Sequence, residues 1–363
     1  MPERRRTPLW VAARATNRAL LVKAYGRSYL HEYRELVARW EQRPKTVLND
    51  IWASAAAEVG AEVSGNWDSG FTLHRGTQHA QVDGWETHLD PPETVERALD
   101  KSFAAARLTE ARLAVPEQLA FSRREVRHAA AHMKERGGTW VLKPRSGNSG
   151  EGVTCDIESS ADFARAFVTA APLDNAFVLE RQIPGSVYRL LILDGELLDV
   201  VRRDPSSVEG DGASTVRDLI RAENHARVDA AGARGNQLVH PDHDCLLALR
   251  SQRLTLASIP SAGARRPVKR SNGDGGRLDT HSIPLSSVSP EVVDEAIRAV
   301  AAVGLTLAGV DLVTPDLGKR SAEAGGAIVD VNSPPGLHYH YLTANADQSR
   351  HVAARVLERL LET

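Results

Sequence analysis

Cysteine and methionine are nearly missing from this chain of 363 residues, at two each, and Phe, Trp and Tyr together supply only 5 % of it. Cys155 and Cys245 show no metal-ligand spacing and no partner pattern, so neither a disulfide framework nor a cysteine-based zinc site is expected, and a reducing, cytoplasmic setting is implied. No run approaches the roughly 18 consecutive apolar residues of a membrane span. The basic start Met1-Pro-Glu-Arg-Arg-Arg6 has no following apolar core and no small-residue cleavage site, so a secretory signal is not expected. Net charge is −2, which leaves no global basic field to suggest nucleic acid. Internal repeats and low-complexity tracts are also lacking. What is present, 42 % hydrophobic residues over this length, suffices for a large core and for about two or three domains.

Punctuation along the chain gives a coarse α/β reading. Leu48, Ile51, Trp52, Ala55 and Val59 recur at helical spacing, predicting an amphipathic helix from Lys45 to Gly60. Short strands are expected at 61–64, 71–74 and 80–82, and one helix over 93–111. Ser122 and Glu125 form a capping-box pair that would start a helix running to Arg136, with Gly137-Gly138 as its stop. Further helices are predicted over 162–170 and 290–303, the second with Val292, Val293, Ala296, Val300 and Val303 on one face.

Three segments carry chemistry. In Ala308-Gly-Val-Asp-Leu312 and Gly326-Ala-Ile-Val-Asp-Val-Asn332, Asp330 and Asn332 share one face of a strand by its period of two. An adjacent strand would bring Asp311 beside them, and hard oxygen ligands of this kind suit Mg²⁺ completed by phosphates. The plainer alternative is a pair of strand-end turns. Upstream, Thr139-Trp-Val-Leu-Lys143 delivers a lysine into a loop with Gly147, Ser149, Gly150 and Gly152, where backbone N–H groups can cradle an anion. Because the lysine precedes the glycines and no Gly-Lys-Ser/Thr follows, this is not a P-loop. The third segment joins two strands through Pro184-Gly185, with Glu180 at the end of the first and Arg189 at the start of the second. Glu180, with backbone groups from Arg181 to Ile183, could read the amino edge of adenine, or the segment could be a solvated hairpin.

Together, and in this order, these segments resemble the ATP-grasp superfamily of carboxylate–amine ligases, in particular the ATP-grasp module of cyanophycin synthetases and bifunctional glutathione synthetases. The likeness starts near Leu99-Asp-Lys101, includes Ala114-Val-Pro116 and Val208-Glu-Gly-Asp-Gly-Ala-Ser-Thr-Val-Arg-Asp-Leu-Ile220, and covers roughly three-quarters of the chain. It implies an ATP-grasp fold: an N-terminal α/β domain over 1–95, a lid subdomain over 96–185 and a catalytic subdomain over 186–363, with nucleotide between the last two.

Carried onto this sequence, Lys101 and Lys143 would hold the α- and β-phosphates and the 147–152 loop would close over the triphosphate. Glu180, Arg181 and Ile183 would read adenine. Arg189 and Arg203 would neutralise the γ-phosphate and the acyl phosphate, and Gly336 would offer its N–H to the oxyanion. Asp311, Asp330 and Asn332 would bind one or two Mg²⁺ ions, with Mn²⁺ as a substitute. The sequence departs from the family in three places. Asp330 stands where Glu is usual, and Val187 where an acid often meets the ribose. Val268-Lys-Arg-Ser-Asn272 belongs to a shortened Arg/Asn element, so whether Lys269 or Arg270 faces the phosphates stays open, with Asn272 beside them.

His338, His340 and Tyr341 follow Gly336. A His-x-His strand would turn both rings to one face, which fits a substrate contact, a structural role or a transition metal. The resemblance favours substrate, with His338 replacing a usual Arg and so giving a pH-sensitive carboxylate clamp. The expected activity is ATP-dependent amide or peptide bond formation between small, amino-acid-like substrates through an acyl phosphate. The alternatives are a nucleotide-binding regulatory subunit and a kinase of the same fold. No nucleic-acid or membrane partner is expected, and a homodimer is compatible with the sequence.

Overall fold

The protein is described from a computed structural model, for residues 29–146, 150, 152–229, 238–272, 279–345 and 351–362. Helix α1 (Tyr29–Glu58) extends the expected helix far upstream of Lys45. Strands β1 (Glu62–Asn66), β2 (Gly70–Arg75) and β3 (Gln78–Val82) then form an antiparallel three-stranded sheet close to the predicted strands. Leu48, Ile51 and Trp52 of α1 pack on Phe71, Leu73 and Val82 of that sheet. The same core includes Val356 and Leu357 of the C-terminal helix, so the two ends of the described chain share one apolar layer.

The stretch expected as a single helix over 93–111 is two, α2 (Pro92–Ala98) and α3 (Lys101–Glu110). The break follows from Asp100, whose carboxylate accepts the N–H groups of Ser102 and Phe103 and caps a new helix. Next comes a four-stranded antiparallel sheet in the order β4 (Gln118–Ser122), β7 (Ala176–Arg181), β5 (Trp140–Pro144), β6 (Thr154–Ile157). Helices α4 (Val126–Arg136) and α5 (Ser160–Ala170) cover one face, burying Met133, Phe163 and Ala166 against Trp140, Leu142 and Phe177. The carboxylate of Glu125 takes the backbone N–H and hydroxyl of Ser122, as the capping pair predicts, but the first turn after it is 3-10.

A five-stranded antiparallel sheet completes the architecture, in the order β12 (Thr280–Ser282), β9 (Glu196–Arg203), β8 (Ser186–Leu193), β13 (Leu307–Thr314), β14 (Ala327–Asn332). Strands β10 (Ser207–Glu209) and β11 (Arg265–Pro267) pair separately, beside helices α6 (Val216–Asp229) and α7 (His243–Ser251), around Val208, Ile220, Val239 and Val268. Helix α8 (Pro290–Val303) has the predicted bounds, set by the Ser289 cap, Pro290 at its first position and left-handed Gly304 at its end. Its buried face, Val292, Ala296, Ala299, Val300 and Val303, packs on Leu190, Ile192, Val310 and Leu312. Helix α9 (Val352–Leu361) closes the chain. Among the described residues no helix is long and apolar enough to cross a membrane.

Candidate functional site

Arg189 on β8, Asp311 on β13 and Asp330 on β14 are direct cross-strand partners, so their side chains leave the sheet on one face in a single row. Two hydrogen bonds join Arg189 to Asp311, Nε to Oδ1 and a terminal nitrogen to Oδ2, the second at 2.8 Å. The Arg203 guanidinium lies 3.8 Å from the same carboxylate, and Asn332 Nδ2 donates to it at 3.2 Å. Burial pushes the Asp311 carboxyl up, but the adjacent Arg189 charge and its hydrogen bonds outweigh this and hold it below the usual range. Gly309 makes room for this arrangement, because a Cβ there would stand 2.5 Å from Cδ of Arg189.

The two expected phosphate lysines approach from other elements. Lys101, in the first turn of α3, reaches Asp330 at 2.5 Å. Lys143, near the end of β5, lies 2.6 Å from Glu180 on β7 and 3.5 Å from the carbonyl of Val329. Burial lowers the Lys143 pKa, yet Glu180 and Asp330 outweigh it and leave the ammonium firmly charged. Both lysines are therefore held by carboxylates that a polyphosphate would have to replace. Gly150 and Gly152 adopt the left-handed backbone the loop needs, while Gly147 and Ser149 lie outside the described residues.

These groups line one cleft of about 1180 Å³, roomy enough for a nucleotide and a second small molecule. Lys101, Lys143, Gly150, Glu180, Ile183, Val187, Arg189, Arg203, Arg270, Asn272, Asp311, Asp330, Asn332, Gly336 and His338 all face it. As a test of fit for a cation, Asp311, Asp330 and Asn332 offer hard oxygen donors in one place. Among the described residues no three His, Cys, Asp or Glu side chains form a ready-made metal cage. Two carboxylates and an amide suit a small hard ion that keeps water or phosphate in its shell.

Four expected site residues are placed elsewhere. Arg181 turns away from the cleft, its guanidinium 4.2 Å over the ring of Trp140 and bonded to Glu117. Its N–H and that of Gln182 donate to the carbonyls of Glu117 and Thr139, so those two backbone donors are occupied where β7 ends between β4 and β5. Lys269 is buried, 2.6 Å from Asp242, and supports the small core beside β11. Arg270 is the neighbour that faces the cleft, held 2.8 Å from Asp156. The turn after Asn272, residues 273–278, lies outside the described residues.

Residues Leu337–His340 form a 3-10 turn and not a strand, so the two histidine rings diverge. His340 is fully buried, with Nδ1 2.8 Å from Asp199, and Tyr341 accepts the N–H of Ala353 at the start of α9. Burial also pushes the Tyr341 phenol up to about 12. His338 does enter the cleft, but its burial and the flanking Arg203 and Arg189 charges depress its pKa to about 3. The expected pH-sensitive clamp near neutrality is thus replaced by an uncharged ring.

Several cleft residues carried no motif in the sequence. Tyr339 lies 4.1 Å from the Arg203 guanidinium and 5.3 Å from that of Arg189, placing a π face against two cations that share one carboxylate. Left-handed Gly336 permits this, since a Cβ would meet the Tyr339 ring at 2.7 Å. Trp67, in the β1–β2 turn, and Trp85, after β3, enter from the N-terminal sheet. Their only local signal is a pair of large indoles at hairpin ends, where polar turn residues are usual.

No family model matches the chain. Cyanophycin synthetase of Geminocystis herdmanii is 31 % identical over 274 residues, 73 % of this chain and 30 % of that protein. The enzyme of that name from Crocosphaera subtropica is 31 % identical over 302 residues, covering 80 % and 33 % of the two chains. A glutathione biosynthesis bifunctional protein of Enterococcus faecalis is 31 % identical over 237 residues, 63 % of this chain and 31 % of its own. The chain therefore spans about a third of the length of these curated relatives. A solved bifunctional glutathione synthetase from Pasteurella multocida matches with a TM-score of 0.54 at 22 % identity, covering 86 % of this chain and 44 % of that one. The chain has the ATP-grasp fold and resembles in sequence the ATP-grasp carboxylate–amine ligases, cyanophycin synthetases and bifunctional glutathione synthetases among them.

Proposed function

We propose that this chain is an ATP-dependent ligase that joins an amino-acid carboxylate to an amine through an acyl phosphate, releasing ADP and phosphate. The observation that carries the reading is the convergence of Lys101, Lys143, Arg189 and Arg203 with Asp311, Asp330 and Asn332 in one cleft. Phosphoryl transfer needs fixed positive charge around the transferred group more than it needs covalent help. In this reading Lys101 and Lys143 leave Asp330 and Glu180 for the α- and β-phosphates, and Gly150 and Gly152 bring backbone N–H groups to the triphosphate. Glu180 and Ile183 hold adenine.

Arg189 and Arg203 stay on Asp311 and meet the γ-phosphate as it moves to the substrate carboxylate. Their burial means that little solvent has to reorganise during the step. Mg²⁺, held by Asp311, Asp330 and Asn332, would supply further neutralisation of phosphate charge, a role Mn²⁺ could also fill. Arg270 and Asn272 border the same space, Asn272 bonded to Arg203. The amine then attacks the acyl carbon, phosphate leaves, and the N–H of Gly336 stabilises the oxyanion.

The test is ADP release by the purified chain with Mg²⁺-ATP and pairs of amino acids, with product masses recorded. Release that requires both a carboxylate and an amine, with a product lighter by one water than their sum, supports the ligase. Release with a hydroxyl compound alone, giving a phosphate ester, would replace it with a kinase.

A further inference from the structure

Arg189 and Arg203 bring two positive charges to one carboxylate, and that carboxylate serves them unequally. Arg189 bonds both oxygens of Asp311 and donates to the carbonyl of Pro335 at 2.6 Å. Arg203 stands 3.8 Å from Asp311, beyond hydrogen-bond reach. Among the described residues its guanidinium donates one hydrogen bond, to the carbonyl of Asn272 at 3.0 Å. Both arginines are buried, so their mutual repulsion is poorly screened and acts to displace the less tethered one, Arg203. The further contact that holds it is the ring of Tyr339, whose centroid lies 4.1 Å from Cζ of Arg203 and 5.3 Å from Cζ of Arg189. That ring is itself fixed. The Tyr339 N–H donates to the carbonyl of Gly336 at 3.0 Å, the ring edge fills the space a Cβ on Gly336 would take, and the His338 ring packs on it at 4.1 Å. Burial and the same two arginines keep His338 neutral, so it adds no third positive charge.

We propose that Tyr339 is a positioning residue whose ring face holds Arg203 beside Arg189, so that the pair presents a fixed, uncancelled charge to the terminal phosphate of a nucleoside triphosphate. The place given to that phosphate rests on the ligase reading above. A π face suits this task better than a second carboxylate. A carboxylate would hold Arg203 more tightly, but it would cancel the excess charge and repel the phosphate. An aromatic ring attracts the cation through its quadrupole and carries no net charge of its own. The positive charge that phosphoryl transfer needs is thereby kept in place without being spent on its own support.

Calorimetry of the full chain with Mg²⁺ and either ADP or a non-hydrolysable ATP analogue reads the contribution of the terminal phosphate without turnover. The wild type is expected to bind the triphosphate more tightly. Tyr339→Leu should cut that preference about tenfold, and Tyr339→Phe, which keeps the π face, should restore it. Pentafluorophenylalanine at position 339 keeps the shape of Phe and reverses the ring's charge distribution, so it should lower the preference even where leucine disturbs the fold. Arg203→Met should cost at least as much, and Tyr339→Leu added to it should cost no more, because both changes act through one guanidinium. A preference that the fluorinated ring leaves unchanged, or a wild type with none, overturns the proposal. So do losses from Tyr339→Leu and Arg203→Met that multiply in the double variant. A chain that shows the expected pattern yet releases no ADP with any pair of substrates sinks the ligase reading and keeps Tyr339 in this role. A working ligase whose triphosphate preference ignores the ring does the reverse.

Discussion

His338 shows how a residue's chemistry is set by neighbours that its local sequence does not name. From Gly336-Leu-His338 alone, a histidine in place of arginine promises a group that titrates near pH 6.5. In the fold it lies against Trp85 and Tyr339, with Arg189 and Arg203 close enough to oppose a second positive charge, and its pKa falls to about 3. The pH profile of kcat/KM between 5 and 8 is therefore expected to keep its shape in His338→Gln. Loss of a limb near 6.5 in the variant would show that the ring is charged in the working enzyme. The sign for stability is also fixed. Below pH 6.5 the unfolded chain takes up a proton that the folded histidine refuses, so this residue's contribution to stability declines as pH falls toward 3. Lys269 and Arg270 make the same point about legibility. Their order leaves open which faces the cleft, and the answer lies in Asp242 and Asp156, 27 and 114 positions before the two cations respectively.

At the scale of elements, legibility follows the range of the forces involved. Helix α8 could be bounded from Ser289, Pro290 and Gly304 because caps and stops act within one turn, and the three hairpin strands from their glycine, asparagine and aspartate turns. The division at Leu99-Asp100 was equally local, an N-cap aspartate before Lys101, but helical spacing on both sides hid it. The row Arg189, Asp311, Asp330 needed more. Period two places Asp330 with Asn332, whereas only the register of β8, β13 and β14 sets Arg189 opposite Asp311. Gly309 on β13 gives a test of that register. Gly309→Ala should leave the sheet paired, since its φ is not left-handed, while its Cβ, 2.5 Å from Cδ of Arg189, drives the guanidinium off Asp311. Activity is expected to fall on the order of 100-fold, the scale for a misplaced transition-state donor, with far-UV circular dichroism unchanged. Wild-type ADP release in this variant would mean that Arg189 has no fixed role.

Across the whole molecule, the N-terminal sheet, the four-stranded sheet and the five-stranded sheet each contribute walls to one cleft, so ligands should tie together parts of the chain far apart in sequence. Trp67 and Trp85 could not be assigned to it from sequence, because Trp85, on which Trp67 packs, meets a residue more than 250 positions further along the chain, His338. The same convergence makes cation binding conditional. Lys101 sits 2.5 Å from Asp330, and Arg189 bonds both oxygens of Asp311, so the donors proposed for Mg²⁺ already face positive groups. Mg²⁺ alone is therefore expected to leave the melting temperature unchanged. Mg²⁺ with ATP should raise it, because the phosphates draw Lys101 away from Asp330. At a ligand concentration about 100 times Kd the gain is about 2.7 kcal/mol, which for a chain of this size means a few degrees. Lys101→Met removes the competing ammonium, so in that variant Mg²⁺ alone should stabilise the protein while ATP adds less than in the wild type. Differential scanning fluorimetry with and without each ligand reads all four combinations. Equal stabilisation of the wild type by Mg²⁺ with and without ATP would show that the Lys101–Asp330 pair does not guard the metal position.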